Sequence, residues 1–272
     1  MPQLYKVESR VIHRLLTVCS ALFITGCSLL GTYNSATSRY EFIVIPTSNE
    51  VAMGDEAHES ILRRYELSDD AQAQARLERI GQDLVGISDR QDYSYQFFLI
   101  DKDDMNAFTS PGGRIYFFTG LLDKMTRDDQ VAAVLAHEIG HCAARHVVKK
   151  FQAALGYNLL GSILLSQIDS VGAQRVAGLS SDAVMSIVFS SYSRKDEFEA
   201  DRLAVKYMYL AGYDLQAIIE TFEILKSAEE KGSVPGFLRS HPYLGDRMEG
   251  VKKEVEAVKS RFGPEDGAPV LE

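Results

Sequence analysis

The sequence predicts an α+β fold: a mostly helical single domain carrying a small β-sheet. Three observations lead there. Between residues 49 and 262 most of the chain falls into segments with helical apolar spacing, punctuated by Ser, Asp and Gly at their ends. Two short runs, residues 95–100 and 115–118, read as buried strands, with Gly112 and Gly113 turning the chain into the second. The most apolar stretch within residues 153–188 is about ten to fourteen residues long, too short to span a bilayer.

The elements follow in order. Lys6, Arg10 and Arg14 precede an apolar run over residues 15–24, which ends in Ile24-Thr25-Gly26-Cys27. A charged head, a short apolar centre and a small-small-Cys end form the pattern of a bacterial lipoprotein signal over residues 1–26, with Cys27 lipidated as the first mature residue. A plain secretory signal is the rival reading. Ser28, not Asp, follows the Cys, which favours the outer membrane over retention at the inner one. Residues 27–48 read as a lipidated tether with a strand-like stretch at 42–45. Helices are expected over 51–65 and over 69–87, the second N-capped by Ser68 and facing the core with Leu77, Ile80 and Leu84. A long helix spans 127–151. Residues 153–188 mix apolar runs with Gly and Ser, and read as a helical hairpin that either covers the cleft as a lid or packs into the core. Helices over 194–210, stopped by Gly212, and over 214–231, N-capped by Asp214, complete the body. Residues 263–272 form an acidic, Gly- and Pro-containing tail expected to be disordered.

Charge and cysteine usage narrow the function. The formal charge of −9 becomes −11 once the +2 of residues 1–26 is removed, and the acidity is spread along the chain. That excludes nucleic acid and polybasic membrane binding as partners, so membrane attachment depends on the acyl chains of Cys27. With Cys19 leaving in the signal, Cys142 is the one other thiol, and no internal disulfide framework is possible. Cys142 reads as a small core residue, with redox sensitivity as the alternative.

The helix at 127–151 carries the chemistry. Residues 137–141 are His-Glu-Ile-Gly-His. Positions four apart on a helix lie about 40° apart, so His137 and His141 can share one metal ion, and two imidazoles suit zinc. Glu138 does not share the ligand direction and can take a proton from a metal-activated water. Two solvated histidines on a charged helix are the bland alternative. Val131, Ala132, Val134, Leu135, Ala136 and Ile139 make this helix apolar nearly all round, hence buried, and buried imidazoles need partners. Catalytic zinc needs a third protein ligand. Metzincins place it six residues past the motif, where this chain has Val147. His146 lies five residues past His141, about 140° round a continuous helix, and reads as a last-turn cation or a structural hydrogen-bonder. The better candidate is Glu197, with Asp201 four residues on able to hold a ligand histidine by its free N–H; Glu199 points elsewhere.

With those residues in place, the chain resembles the membrane-linked gluzincin zinc metallopeptidases typified by the CAAX prenyl endopeptidases, HtpX and mitochondrial Oma. Its size and layout are similar to the small bacterial lipoprotein members. His137-Glu138-Ile139-Gly140-His141, Glu197-Phe198-Glu199-Ala200-Asp201, and Ser240-His241-Pro242 with Arg247 carry the resemblance, with a softer match from Asn106-Ala107-Phe108 through Pro111-Gly112-Gly113-Arg114-Ile115-Tyr116. It implies a gluzincin-like domain over 49–262, its sheet bordering the active-site cleft. It further implies one Zn2+ per chain on His137, His141 and Glu197, with Asp201 supporting a ligand. His241 would then either donate to the developing oxyanion or cap the metal in a latent form. Arg247 would hold that loop or bind substrate carbonyls, and Asn106 and Ala107 would lie on a sheet edge that pairs with peptide substrate. Together with the lipoprotein signal, this implies a zinc endopeptidase on the periplasmic face of the outer membrane. Its substrates would be unfolded or misassembled envelope proteins, and its partners other lipoproteins or outer-membrane proteins. A lipoprotein assembly factor or chaperone that uses the groove mainly to bind, with slow or latent cleavage, is the alternative. A purely structural zinc module is disfavoured, because structural sites fill four positions with Cys and His.

Overall fold

The computed structural model describes residues 31–43, 45–154, 156, 180–232 and 234–262. The signal over 1–26, Cys27, most of the 153–188 segment and the tail over 263–272 lie outside the described residues. Two units are distinguished. The smaller, residues 31–34 and 38–43 among those described, is an antiparallel hairpin of β1 (Thr32–Asn34) and β2 (Arg39–Glu41). Its pairing sets Tyr33 opposite Tyr40, rings edge-on at 5.3 Å. Of the strand expected at 42–45, the described residues Phe42, Ile43 and Ile45 lie in no strand. The chain turns after Glu41, where the Ile43 N–H donates to the Glu41 carbonyl, so the strands lie just upstream.

The larger unit begins at Ile45, apart from residues 35–37. Helix α1 (Thr47–Leu62) is followed by α2 (Ala71–Val85), which buries Leu77, Ile80 and Leu84. Asp70, not Ser68, caps α2, its carboxylate accepting from the Gln72 and Ala73 N–H groups, while Ser68 Oγ accepts from Asp70 itself. The three-stranded sheet has the order β3 (Gln96–Ile100), β5 (Arg114–Phe118), β4 (Ala107–Ser110), with β5 parallel to β3 and antiparallel to β4. Gly112 and Gly113 turn the chain from β4 into β5 at φ of 78° and 80°, a pair of conformations that residues with a Cβ resist.

After the short α3 (Thr119–Leu122) comes α4 (Asp128–Ala143), buried along nearly its whole length. It packs on the sheet, on α2, and on α7 (Arg194–Ala211) and α8 (Gln216–Glu230). The expected helix over 127–151 is broken: α4 ends at Ala143, Arg145 takes φ of 58°, and α5 (His146–Ala154) starts in a new direction. Helix α6 (Ser181–Val188) lies against α1, α5 and β4. Ser193 and Asp196 form the reciprocal cap that starts α7, and Gly212 at φ of 76° ends it. Helix α8 starts two residues later than expected, with Asp214 accepting from the Gln216 N–H. The short α9 (Gly236–Ser240) and α10 (Leu244–Phe262) close the unit, α10 packing on α7 and α8.

Candidate metal centre

The site is made where α7 crosses α4. Gly140 faces α7 there: a Cβ on it would stand 3.0 Å from the Ala200 carbonyl oxygen and 3.3 Å from Leu203 Cβ. The absence of a side chain lets the first turn of α7 reach the imidazoles one turn apart on α4. His137 Nε2 and His141 Nε2 face each other at 3.0 Å. Glu197 places Oε1 3.4 Å from His141 Nε2 and Oε2 3.7 Å from His137 Nε2. His241, just past α9, adds Nδ1 at 3.2 Å from His137 Nε2 and 3.1 Å from Glu197 Oε1. One donor atom from each of these four side chains lies within 4.8 Å of every other, and all four residues are buried.

Support comes from α7 and α10. Asp201 Oδ1 is 2.9 Å from His137 Nδ1, which fixes that ring with Nε2 turned inward. Arg247, almost wholly buried, clamps Asp201 with Nε and Nη2 at 2.8 and 2.7 Å. Its Nη1 lies 2.5 Å from Glu197 Oε2 and donates to the His241 carbonyl at 3.3 Å. Every guanidinium nitrogen therefore contacts protein, and one of these contacts is to the backbone of His241. Tyr192 stacks on His141 with centroids 3.9 Å apart, and its N–H donates to the Ser240 carbonyl. Lys150 sits 3.8 Å over the Tyr192 ring and donates to the Val188 and Ser190 carbonyls. The cavity beside His137, lined among others by Phe222, Phe237 and Arg247, holds about 10 Å³. It lies on the Asp201 and Arg247 side of that ring, away from His141, Glu197 and His241, which are themselves buried.

The electrostatics suit a cation. Both Glu138 carboxylate oxygens and His241 Nε2 are buried without a hydrogen-bond partner among the described residues. Burial, with the Glu197 charge second, pushes the Glu138 carboxyl up to about 8. Burial alone would also raise Glu197, but Arg247, His241 and His141 together hold it well below the usual carboxylate range. Burial depresses His141 strongly and His241 to about 4, leaving both imidazoles neutral with lone pairs to give. Neutral imidazoles and a carboxylate converging on one buried point, beside a second carboxyl that lies 3.4 Å from His241 Nε2, fit a divalent metal with nitrogen–oxygen preference.

The match to known proteins points the same way. The model of Peptidase family M48 matches residues 71–255, well over half of the chain. The chain belongs to peptidase family M48. Its enzyme class is that of the metalloendopeptidases. This M48 chain is 26% identical to metalloprotease LoiP of Escherichia coli (strain K12) over 262 residues, covering 90% of the chain and 98% of that protein. It is 30% identical to the mitochondrial metalloendopeptidase OMA1 of Bos taurus over 189 residues, 66% of the chain and 36% of that protein. It is 27% identical to the beta-barrel assembly-enhancing protease of the same Escherichia coli strain over 218 residues, 77% of the chain and 44% of that protein. The M48 chain thus spans less than half the length of the last two.

Other residues singled out in the sequence have plain positions. Ala107 starts β4, the sheet edge, and Asn106 precedes it; both are buried. Residues 107–110 form no backbone–backbone hydrogen bond outside the sheet among the described residues, and the Ser110 carbonyl accepts from Thr109 Oγ1 at 3.3 Å. Helices α1, α4, α6 and α9 pack against this strand, and Phe189 meets Phe108 with centroids 4.7 Å apart. Cys142 is buried, its Sγ 2.8 Å from Thr109 Oγ1, and burial pushes its thiol up to about 12, which disfavours redox chemistry. Three residues near the centre were not legible in the sequence as parts of it. Tyr192 and Lys150 come from segments with no motif, and Glu199 turns toward His146 at 3.2 Å. The break at Arg145 makes that meeting possible, and nothing in residues 143–147 announces a break.

Proposed function

We propose that this chain is a zinc endopeptidase in which His137, His141 and Glu197 hold the ion, Asp201 orients His137, and Glu138 is the general base. The observation that carries the reading is the fully buried Glu138 carboxyl beside the four-donor cluster, without a hydrogen bond among the described residues and 3.4 Å from His241 Nε2. Zinc bound there supplies a Lewis acid that polarises a scissile carbonyl and makes water more acidic. Glu138 takes a proton from the attacking water and passes it to the leaving amine. Burial raises the proton affinity of this carboxyl, and the charge of a bound cation beside it would offset that rise and favour the carboxylate that a general base must be. The outer edge of β4 offers backbone groups for an added peptide strand once α6 and Phe189 withdraw. His241 Nδ1 among the donors supports a latent resting form, with the imidazole in the fourth position.

The setting we propose is the periplasmic face of the outer membrane, with Cys27 lipidated and unfolded or misassembled envelope proteins as substrates. A relative named for assisting β-barrel assembly supports that substrate class. The test is cleavage of casein by residues 28–272, beside Glu138→Gln and a chelated sample. We expect cleavage that disappears in both controls, with Glu138→Gln retaining one zinc per chain and losing about 10²-fold or more in rate. Zinc bound without cleavage by the parent chain favours the reading in which the groove mainly binds.

A further inference from the structure

His141 and His146 meet nitrogen to nitrogen, and that contact has a direction. Their Nδ1 atoms are 2.9 Å apart, and both rings are almost wholly buried. One Nδ1 must donate and the other accept, since two lone pairs or two N–H groups at that distance repel. His146 Nε2 lies 3.2 Å from Glu199 Oε2 and 3.5 Å from Asp196 Oδ1, both carboxylates. A carboxylate accepts, so His146 carries its proton on Nε2 and presents a bare Nδ1. His141 must then donate from Nδ1, which leaves the lone pair on its Nε2, the atom 3.0 Å from His137 Nε2 within the donor cluster. Reversing any one proton breaks a hydrogen bond in the chain or protonates the nitrogen that faces the cluster.

We infer that His146, oriented by Glu199, is a positioning residue that fixes the tautomer and ring angle of His141 and so directs its Nε2 at the metal. This rests on reading the cluster as a metal site. Helix α7 then serves both imidazoles of α4: Asp201 holds His137 directly, and Glu199 holds His141 through an interposed imidazole. The backbone is bent to allow it. On an unbroken helix His146 would lie about 140° from His141. Arg145 at φ of 58°, an unfavourable conformation for a residue with a Cβ, ends α4 and brings the ring back. The Arg145 guanidinium is pinned to the buried Glu50 carboxylate and the Ile45 carbonyl, which holds the bend in place.

The experiment measures zinc affinity by chelator competition on the whole chain and on His146→Ala and His146→Asn, with thermal unfolding of each metal-free protein. Asn can place a carbonyl oxygen where Nδ1 stood. We expect His146→Ala to bind zinc about 10- to 100-fold more weakly, the usual loss for such outer partners. We expect His146→Asn to regain most of that, and the metal-free midpoints to stay alike. Equal affinity in His146→Ala overturns the inference while leaving the metal site standing. Losses that are equal in Ala and Asn, or that track a fall in metal-free stability, assign His146 to packing and also overturn it. A parent chain that binds no zinc removes the metal site itself. Should the variants fail to fold, nitrogen-15 shifts of the zinc-loaded parent decide: His146 protonated on Nε2 upholds the inference, and on Nδ1 overturns it.

Discussion

Arg247 is the residue on which the centre turns. It is almost wholly buried and neutralises two buried carboxylates, Asp201 and Glu197, while fixing the backbone of His241. Removing one member of a buried charge network strands the others, typically at about 3–5 kcal/mol. Arg247→Met should therefore lower the urea-derived stability of the metal-free protein by about 3 kcal/mol or more. The loss should be smaller with zinc bound, because the ion takes over the neutralisation of Glu197. Arg247→Lys should not restore it, since one ammonium cannot clamp Asp201 with two donors and also reach Glu197. Unfolding curves with and without zinc check this, and a loss that ignores zinc would separate Arg247 from the donor set. In the sequence Arg247 was legible only as a resemblance, open between substrate and loop. Its burial arises from α10 packing on α7 and α8, a tertiary fact that no local pattern carries.

At the scale of elements, the α4–α7 crossing and the pinned segment above it are the testable joints. A Cβ at Gly140 would press on the Ala200 carbonyl oxygen at 3.0 Å. Helix propensity favours Ala over Gly by up to about 1 kcal/mol, against an overpacking cost of about 1–3 kcal/mol. Gly140→Ala should thus be mildly destabilising, and Gly140→Val clearly so. Zinc affinity should fall in the same order as Glu197 is pushed away; affinity unchanged in Val would mean the crossing has slack. Lys150 gives a pH signature. Burial lowers it to about 8, so between 8 and 10.5 the unfolded chain binds the proton that the folded chain has released. This group's contribution to stability therefore rises with pH across that window. Lys150→Met should flatten the rise, as urea midpoints from pH 8 to 10.5 will read. How far the sequence reveals such joints depends on whether their cause is local. Ser193 and Gly212 mark the ends of α7 because caps are local chemistry, and the His137–His141 spacing is local geometry. Ser68 and Asp70 are both good caps, and only the fold chooses Asp70. The bend at Arg145 is set by Glu50, nearly a hundred residues earlier, so neither it nor the His141–His146 contact can be read from the motif.

For the whole molecule the question is what would hold an acidic chain at a membrane in the proposed setting. Among the described residues no helix is long and apolar enough to cross one. The formal charge of −9 gives no attraction to an anionic lipid surface. Under the proposed anchor, attachment falls to the acyl chains of Cys27. A single chain binds only marginally, so stable residence requires more than one. The consequence separates this anchor from the alternatives. A lipid anchor is indifferent to ionic strength, whereas an electrostatic contact weakens as salt rises, the screening length falling to about 3 Å near 1 M. The chain should therefore stay with the membrane fraction through a 1 M salt wash, leave it in detergent, and become wholly soluble as Cys27→Ser. The released Cys27→Ser protein should still bind zinc and cleave casein as residues 28–272 do, since none of the donor residues lies upstream of His137. Membrane retention of Cys27→Ser would refute the anchor. A soluble Cys27→Ser chain that binds zinc but no longer cuts would instead make the membrane itself part of what opens the covered β4 edge.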